Sequence, residues 1–257
     1  MTPQQKFIAL RTIVTREVLR FSRIWIQTVL PPMITTALYF IIFGNLIGSQ
    51  IGDMDGFSYI QFIIPGIIMM SVITNAYGNV VSSFFGSKFQ RHIEEMLVSP
   101  VPNYIILIGF ISGGVARGLV VGFVVTLVSL FFNPLSIFNL WVILSMVVLT
   151  AILFALCGFI NGIYARSFDD ISIIPTFVLT PLTYLGGIFY SINMLPEFWQ
   201  HASLANPILY MINAFRYGFL GITDISLLAS YSISIGFIVV LYTFSIYLLR
   251  KGQGIRT

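Results

Sequence analysis

The fold is decided by the uncharged stretch from Gly118 to Ala165, GLVVGFVVTLVSLFFNPLSIFNLWVILSMVVLTAILFALCGFINGIYA. It contains no Asp, Glu, Lys or Arg, and Asn133-Pro134 stands near its middle. A helix of about 20 apolar residues crosses the ~30 Å hydrocarbon layer of a bilayer. Two such lengths fit here, and asparagine followed by proline is a turn signal. The stretch therefore predicts the end of one membrane-crossing helix (within about 104–132), a tight outer turn, and a second crossing at about 140–163.

The rest of the chain repeats this pattern. Further uncharged runs cover 24–52, 56–87, 96–116, 171–196, 198–215 and 225–249. Of the 257 residues, 57% are apolar and 9% charged, against about 25% charged in soluble domains. That composition excludes a water-soluble enzyme and a disordered chain. Cys157 is the only cysteine, which excludes a disulfide scaffold.

The runs predict an all-α polytopic membrane protein with six transmembrane helices. They lie at about 24–44, 59–84, within 104–132, and at 140–163, 171–190 and 230–249. Pro31-Pro32 removes two backbone donors and predicts a kink or restart in the first span. Residues 191–224 are too broken for an ordinary span and too apolar for a soluble loop. They read as two short re-entrant or outer helices, because irregular backbone at membrane depth needs shelter.

Residues 1–23 read as an amphipathic interfacial helix. On a helical wheel Phe7, Leu10, Val14, Val18 and Phe21 gather on one side, and Arg16, Arg20 and Arg23 gather opposite. Cations facing an anionic leaflet explain that division; a soluble helix leading into the first span is the alternative. No cleaved signal peptide is expected, since no small-residue cleavage pattern follows a short apolar stretch. The organisation is thus an interfacial helix (1–23), a transmembrane domain (24–250) and a short tail (251–257).

Six spans put both termini on one side. Eleven of the 13 Lys and Arg then fall on that side, Arg216 alone falls opposite, and Arg117 lies within a span. The positive-inside rule makes the side of the termini cytoplasmic. The net charge of +4 is accounted for by these orientation signals, and no nucleic acid partner is expected.

Five segments make the chain similar to a known family. Leu195-Pro196-Glu197-Phe198-Trp199 is followed by Asn206-Pro207-Ile208-Leu209-Tyr210 and by Phe215-Arg216-Tyr217-Gly218. Arg166 precedes Asp169-Asp170, and Pro181-Leu182-Thr183-Tyr184-Leu185-Gly186-Gly187 lies beyond. With the interfacial helix, six spans and a charged segment between spans two and three, the whole chain resembles ABC-2 type transporter permeases. It is particularly similar to stand-alone bacterial inner-membrane transport permeases of about this length. The resemblance implies an exporter subunit in the bacterial inner membrane that pairs with a second copy and with two cytoplasmic ATPase subunits. ATP and magnesium would be bound by that partner; this chain has no GxxxxGK[ST] loop and no cofactor of its own. The cargo stays open between lipid-linked glycans and drugs or small amphiphiles, and a non-transport membrane scaffold is the rival outside transport.

In such permeases the loop between spans two and three acts as a coupling helix. Here that is about 87–97, with Lys88, Arg91, His92, Glu94 and Glu95 presenting charge; spacings of three and four allow shared helix faces. A solvated loop that only fixes topology is the plainer alternative. Arg16, Glu17 and Arg20 are added as further ATPase contacts. Arg166, Asp169 and Asp170 form either an electrostatic latch on the inner face or a cap for the fifth span.

A cation within a span is expensive and needs a partner. Arg117 is expected to pair with Glu17 or Asp170, or else to contact an anionic headgroup or substrate. Gly114, Gly118 and Gly122, spaced by four, predict close packing against another span. Glu197 and His201 share a face, but one carboxylate and one imidazole are too few for a metal. No HExxH motif, paired span carboxylates or serine–histidine set supports an intramembrane enzyme. Glu197 or Arg216 is instead expected to hold the outer helices and shape an exit gate.

Overall fold

In the computed structural model, residues 1–54 and 56–252 are described, without the side chains of Asn45 and Ser49. Asp55 of the expected outer loop and most of the expected tail, 253–257, lie outside the described residues. Helix α1 runs Pro3–Arg23 and α2 Trp25–Tyr39; a π-helical segment, Phe40–Ile47, leads into α3, Gly48–Ile51. Two strands, β1 Asp53–Met54 and β2 Phe57–Ser58, pair antiparallel before α4, Tyr59–Phe89. Then follow α5 His92–Val98, α6 Asn103–Leu130 and α7 Leu140–Tyr164. Short pieces α8 Asp170–Ile174, a π-helical Pro175–Leu179 and α9 Thr180–Tyr184 form one broken helical segment. A 3-10 turn, Ile192–Met194, precedes α10 Glu197–Leu204, α11 Pro207–Leu220 and α12 Leu227–Lys251.

Five helices among the described residues are long and apolar enough to cross a membrane: Trp25–Gly44, α4, α6, α7 and α12. The expected fifth span is not among them. Its helical part, 170–184, reaches about 22 Å at ~1.5 Å per residue, short of the ~30 Å hydrocarbon layer. Pro175 and Pro181 interrupt it and Gly187 turns out at φ 73°, so proline and glycine set its length. The expected restart at Pro31-Pro32 does not occur. The helix passes through both prolines, and the change of register comes later, at Phe40–Ile47.

Helix α4 is the axis of the fold. Its 31 residues extend about 46 Å, beyond the hydrocarbon layer, and side chains from Tyr59 to Phe85 are buried along it. It packs on α6 and α7, with α11 beside its first half and α12 against α7 and α11. The core has two parts. At the end remote from the termini, Phe62, Ile67, Val125, Met146, Met211 and Phe215 interlock. At the terminal end, Ile13, Phe84, Ile93, Phe110, Phe159 and Leu248 do the same. Ile13 and Leu248 in one cluster put α1 and the last turns of α12 at one end of the bundle.

Glycine lets α6 approach two neighbours. A Cβ on Gly113 would lie 2.6 Å from Glu17 Cβ on α1, and one on Gly114 2.9 Å from the Ala76 carbonyl on α4. Gly118 and Gly122 continue the α4 side, against Ala76 and Val72. The glycines spaced by four thus face α4, and Gly109 and Gly113 form a second seam against α1.

Candidate functional site

The terminal end of the bundle brings together most of the charged residues singled out above. On α1 the buried side is Ile13, Glu17 and Phe21. Of the wheel-derived apolar side, Phe21 is buried, Leu10, Val14 and Val18 are half-buried and Phe7 is exposed. Glu17 finds partners across the joint. It is 1% exposed, accepts a hydrogen bond from Ser83 Oγ at 2.5 Å, and pairs with Arg16 Nη2 at 3.1 Å and Arg20 Nε at 3.5 Å. A buried carboxylate is tolerable only with such compensation.

Arg20 also turns inward. Its Nη2 donates to both the backbone oxygen and the Oδ1 of Asn79 at 2.8 Å. Burial pulls its pKa down from the usual arginine value, and Glu17 opposes that pull; the group stays cationic. Arg16 lies 5.4 Å from the Phe110 ring centroid. Glu17 and Arg20 therefore hold α1 onto α4 and leave Arg16 the more accessible of the three. Asn79 and Ser83 were not singled out from the sequence, although two polar residues four apart in an apolar span mark one helix face.

The segment 87–97 is not one helix. Helix α4 continues through Phe89, and the chain then breaks at Arg91, whose φ of 62° is left-handed. The αL residue ends one helix and redirects the chain into α5. Lys88 consequently belongs to α4 and does not share a face with Arg91. Its Nζ donates to the carbonyls of Ile163 and Ala165 at 2.5 and 2.7 Å, where a cation meets the negative end of α7. In α5, Ile93 is fully buried and Met96 and Leu97 pack beside it. Arg91, His92 and Glu95 are exposed and Glu94 is half-buried. The result is a short helix anchored by one apolar side with charge facing outward.

Between α7 and α8, Asp170 Oδ2 accepts from the backbone N–H of Arg166 at 2.8 Å and of Ser167 at 3.1 Å. Ser167 Oγ returns the bond by accepting from the Asp170 N–H at 3.2 Å. This reciprocal pair is a capping box. The cap, and no side-chain latch between Arg166 and Asp169 or Asp170, is what the described residues contain. The Arg166 N–H foremost, then Ser167, holds the Asp170 carboxyl below the usual aspartate value.

Arg117 pairs with neither expected carboxylate. Glu17 is taken by Ser83, Arg16 and Arg20, and Asp170 by backbone amides. The Arg117 side chain is half-buried, and its Nε is buried without a hydrogen-bond partner.

At the other end of the bundle, Arg216 is 1% exposed. Its Nη2 donates to the Gly187 carbonyl at 2.5 Å and its Nε to the Phe62 carbonyl at 3.4 Å. The guanidinium also lies 3.8 Å from the Phe62 ring centroid. One side chain thereby joins α11, α4 and the turn after α9. Asp224 assists, accepting from Ser191 Oγ at 3.0 Å and from the Ile192 N–H and Asn193 Nδ2 at 3.4 Å. Glu197 and His201 are exposed on α10, so of the two alternatives Glu197 and Arg216 it is Arg216 that makes these contacts. Tyr39, Phe43, Tyr184 and Phe189 form an aromatic group; Phe43 stacks on Phe189 at 4.7 Å, and the Tyr39 and Tyr184 hydroxyls are 3.0 Å apart.

Among the described residues no three His, Cys, Asp or Glu side chains converge on a point that could hold a metal. What the arrangement offers is mechanical: a stiff central helix, a charged projection at one end and an arginine clasp at the other.

Known proteins are similar to this chain in sequence. The inner membrane transport permease YadH of Escherichia coli (strain K12) is 60% identical over 98% of both chains. Nodulation protein J of Rhizobium meliloti (strain 1021) is 25% identical over 78% of this chain and 77% of its own. Nodulation protein J of Rhizobium leguminosarum bv. viciae is 24% identical over 92% of both. The sequence profile described as ABC-2 type transporter matches residues 8–220, which takes in the α1 joint, the α5 projection and the Arg216 clasp. The chain belongs to the ABC-2 type transporter family.

Proposed function

We propose that this chain is the membrane-spanning permease subunit of an ATP-driven exporter in a bacterial inner membrane. It works as a dimer with two cytoplasmic ATPase subunits, which bind the ATP and magnesium. Membership of the family and the name of the 60% identical relative support transport and the inner membrane. The observation that carries coupling is α5, seated by Ile93 on the core while Arg91, His92 and Glu95 face outward. A partner that grips α5 gains a lever on the end of α4, the axis of the bundle.

The termini are cytoplasmic in this reading, as the eleven-to-one distribution of cations favours. The broken helix 170–184 with the chain beyond it completes a sixth crossing in this reading, since it runs from the end of α7 to Gly187 at the Arg216 clasp, and α10 and α11 dip into the outer leaflet. Dimerisation is supported by surface that one copy leaves bare. In α2 only Thr28 and Thr36 are buried, and Ile173, Phe177 and Val178 are exposed on the broken segment. The cargo path then lies between two copies.

Cargo with sugar rings is the second reading; Tyr184, 39% exposed at the edge of the aromatic group, offers a ring on which a sugar could stack. Gentle extraction from the native membrane followed by native mass spectrometry tests the assembly. Masses of two copies plus two ATPase subunits are expected. Copies without an ATPase, beside a co-expressed candidate partner, would leave the membrane scaffold as the reading to adopt. A retained glycolipid mass would identify the cargo class.

A further inference from the structure

Between α1 and the last turns of α4 lies an open cavity of about 1000 Å³, at the upper end of the ~300–1,000 Å³ that ligand pockets occupy. Arg11, Arg16, Arg20 and Arg23 line it, with Ser87 and His92 on the facing wall. Glu17 is the one carboxylate on the wall, and it is engaged by Ser83, Arg16 and Arg20. Arg11 and Arg23 are exposed and have no hydrogen-bond or ion-pair partner among the described residues. Four guanidinium groups against one satisfied carboxylate call for an anion.

The same cavity has an apolar margin. Phe7, Ile8, Leu19 and Ile24 line it, and each is 40% exposed or more. A soluble anion satisfies the cations and leaves these side chains in water. An acidic protein surface leaves them equally uncovered. A molecule with an anionic head and hydrocarbon tails satisfies both, and a helix beside membrane-crossing α2 and α6 lies where such molecules are abundant.

We infer that this groove binds the phosphate-bearing headgroup of an anionic phospholipid, with the acyl chains against Phe7, Ile8, Leu19 and Ile24. Glu17 and Asn79 hold Arg16 and Arg20 in place in advance, so the lipid orders only Arg11 and Arg23. A bound lipid becomes a wedge between α1 and α4, and α1 is sensitive to the composition of its leaflet.

The test uses the full chain in nanodiscs of phosphatidylcholine doped with phosphatidylglycerol, with retained lipid read by native mass spectrometry. The double variant R11Q/R23Q should lose retained phosphatidylglycerol by roughly tenfold or more, the scale set by two cations at a membrane surface. R250Q/K251Q, which removes as much charge at the other terminus, should retain it. Equal retention in R11Q/R23Q and the unchanged protein overturns the inference, and so does equal loss in R250Q/K251Q. Displacement of the lipid by inorganic phosphate alone would reassign the groove to a free anion. Loss of a co-purifying ATPase with lipid retention unchanged would reassign it to a protein contact. If R11Q/R23Q melts lower than the parent, R23Q alone carries the same comparison.

Discussion

The carboxylate of Glu17 meets the hydroxyl of Ser83 at 2.5 Å, across the joint between the interfacial helix and the central span. The two are 66 residues apart, and neither belongs to an apolar pattern. A buried acid fixes where α1 sits, because moving it leaves a charge without compensation.

Glu17→Ala should therefore destabilise the protein by about 2–4 kcal/mol, as Ser83 and Arg20 lose a buried partner. Glu17→Gln keeps the Ser83 bond and should cost less. Thermal unfolding in detergent checks this; an Ala variant that melts with the parent would show α1 to be held by apolar contacts alone.

Glycine positions should divide sharply. Gly114→Ala places a methyl 2.9 Å from the Ala76 carbonyl, a backbone atom that cannot yield, and should cost about 1–3 kcal/mol. A Cβ on Gly78 meets nothing within 4 Å. Gly78→Ala in the same bundle should be neutral or stabilise by about 0.5–1 kcal/mol, since helix interiors favour alanine. Paired melting curves in one detergent decide it.

Arg216→Met removes the donors to Gly187 and Phe62 and should lower stability by about 2–4 kcal/mol, leaving buried carbonyls unmatched. Arg216→Lys keeps the charge but reaches fewer acceptors, so an intermediate loss is expected. Limited proteolysis at the turn after α9 provides the readout, with faster cleavage in the order Met, Lys, parent.

Lys88 and Glu95 should separate stability from coupling. Lys88→Met uncaps α7 and is expected to cost about 1 kcal/mol without affecting ATPase association. Glu95→Lys reverses an exposed charge, should leave the melting point unchanged, and should reduce ATPase co-purification several-fold. The reverse result would move the docking surface from α5 to the end of α4.

Asp170 carries a pH dependence of defined sign. Its carboxyl is held below the ordinary aspartate value of 3.8, first by the Arg166 amide. Its stabilisation is complete above that value and is lost as pH falls through the lowered one. Hydrogen-exchange protection of the Arg166 and Ser167 amides should follow this course and lose it in Asp170→Asn.

Much of the architecture was legible in the residues because the bilayer imposes a simple rule. Apolar runs such as 140–163 must be helical to satisfy their backbone, and glycines at 114, 118 and 122 must face something close. The broken segment at 170–184 was harder, since Pro175 and Pro181 sit in a run whose hydropathy alone suits a full crossing. The helix at 87–97 failed as a unit for a local reason: Arg91 adopts a left-handed backbone that no residue type announces.

The site was less legible than the fold. Partners of charged side chains lie far along the chain, as with Arg216 and Phe62 or Lys88 and Ile163. A wheel drawn on α1 alone sorts apolar from cationic residues, and it does not show that Ile13, Glu17 and Phe21 are the positions buried against other helices. By itself the sequence determined the helical class, the long apolar spans and the family, because solvent transfer and motif spacing are local properties. Only the tertiary structure decided which charges are spent inside the bundle and which remain for a partner, because compensation of a buried charge depends on what other helices bring within about 3 Å of it.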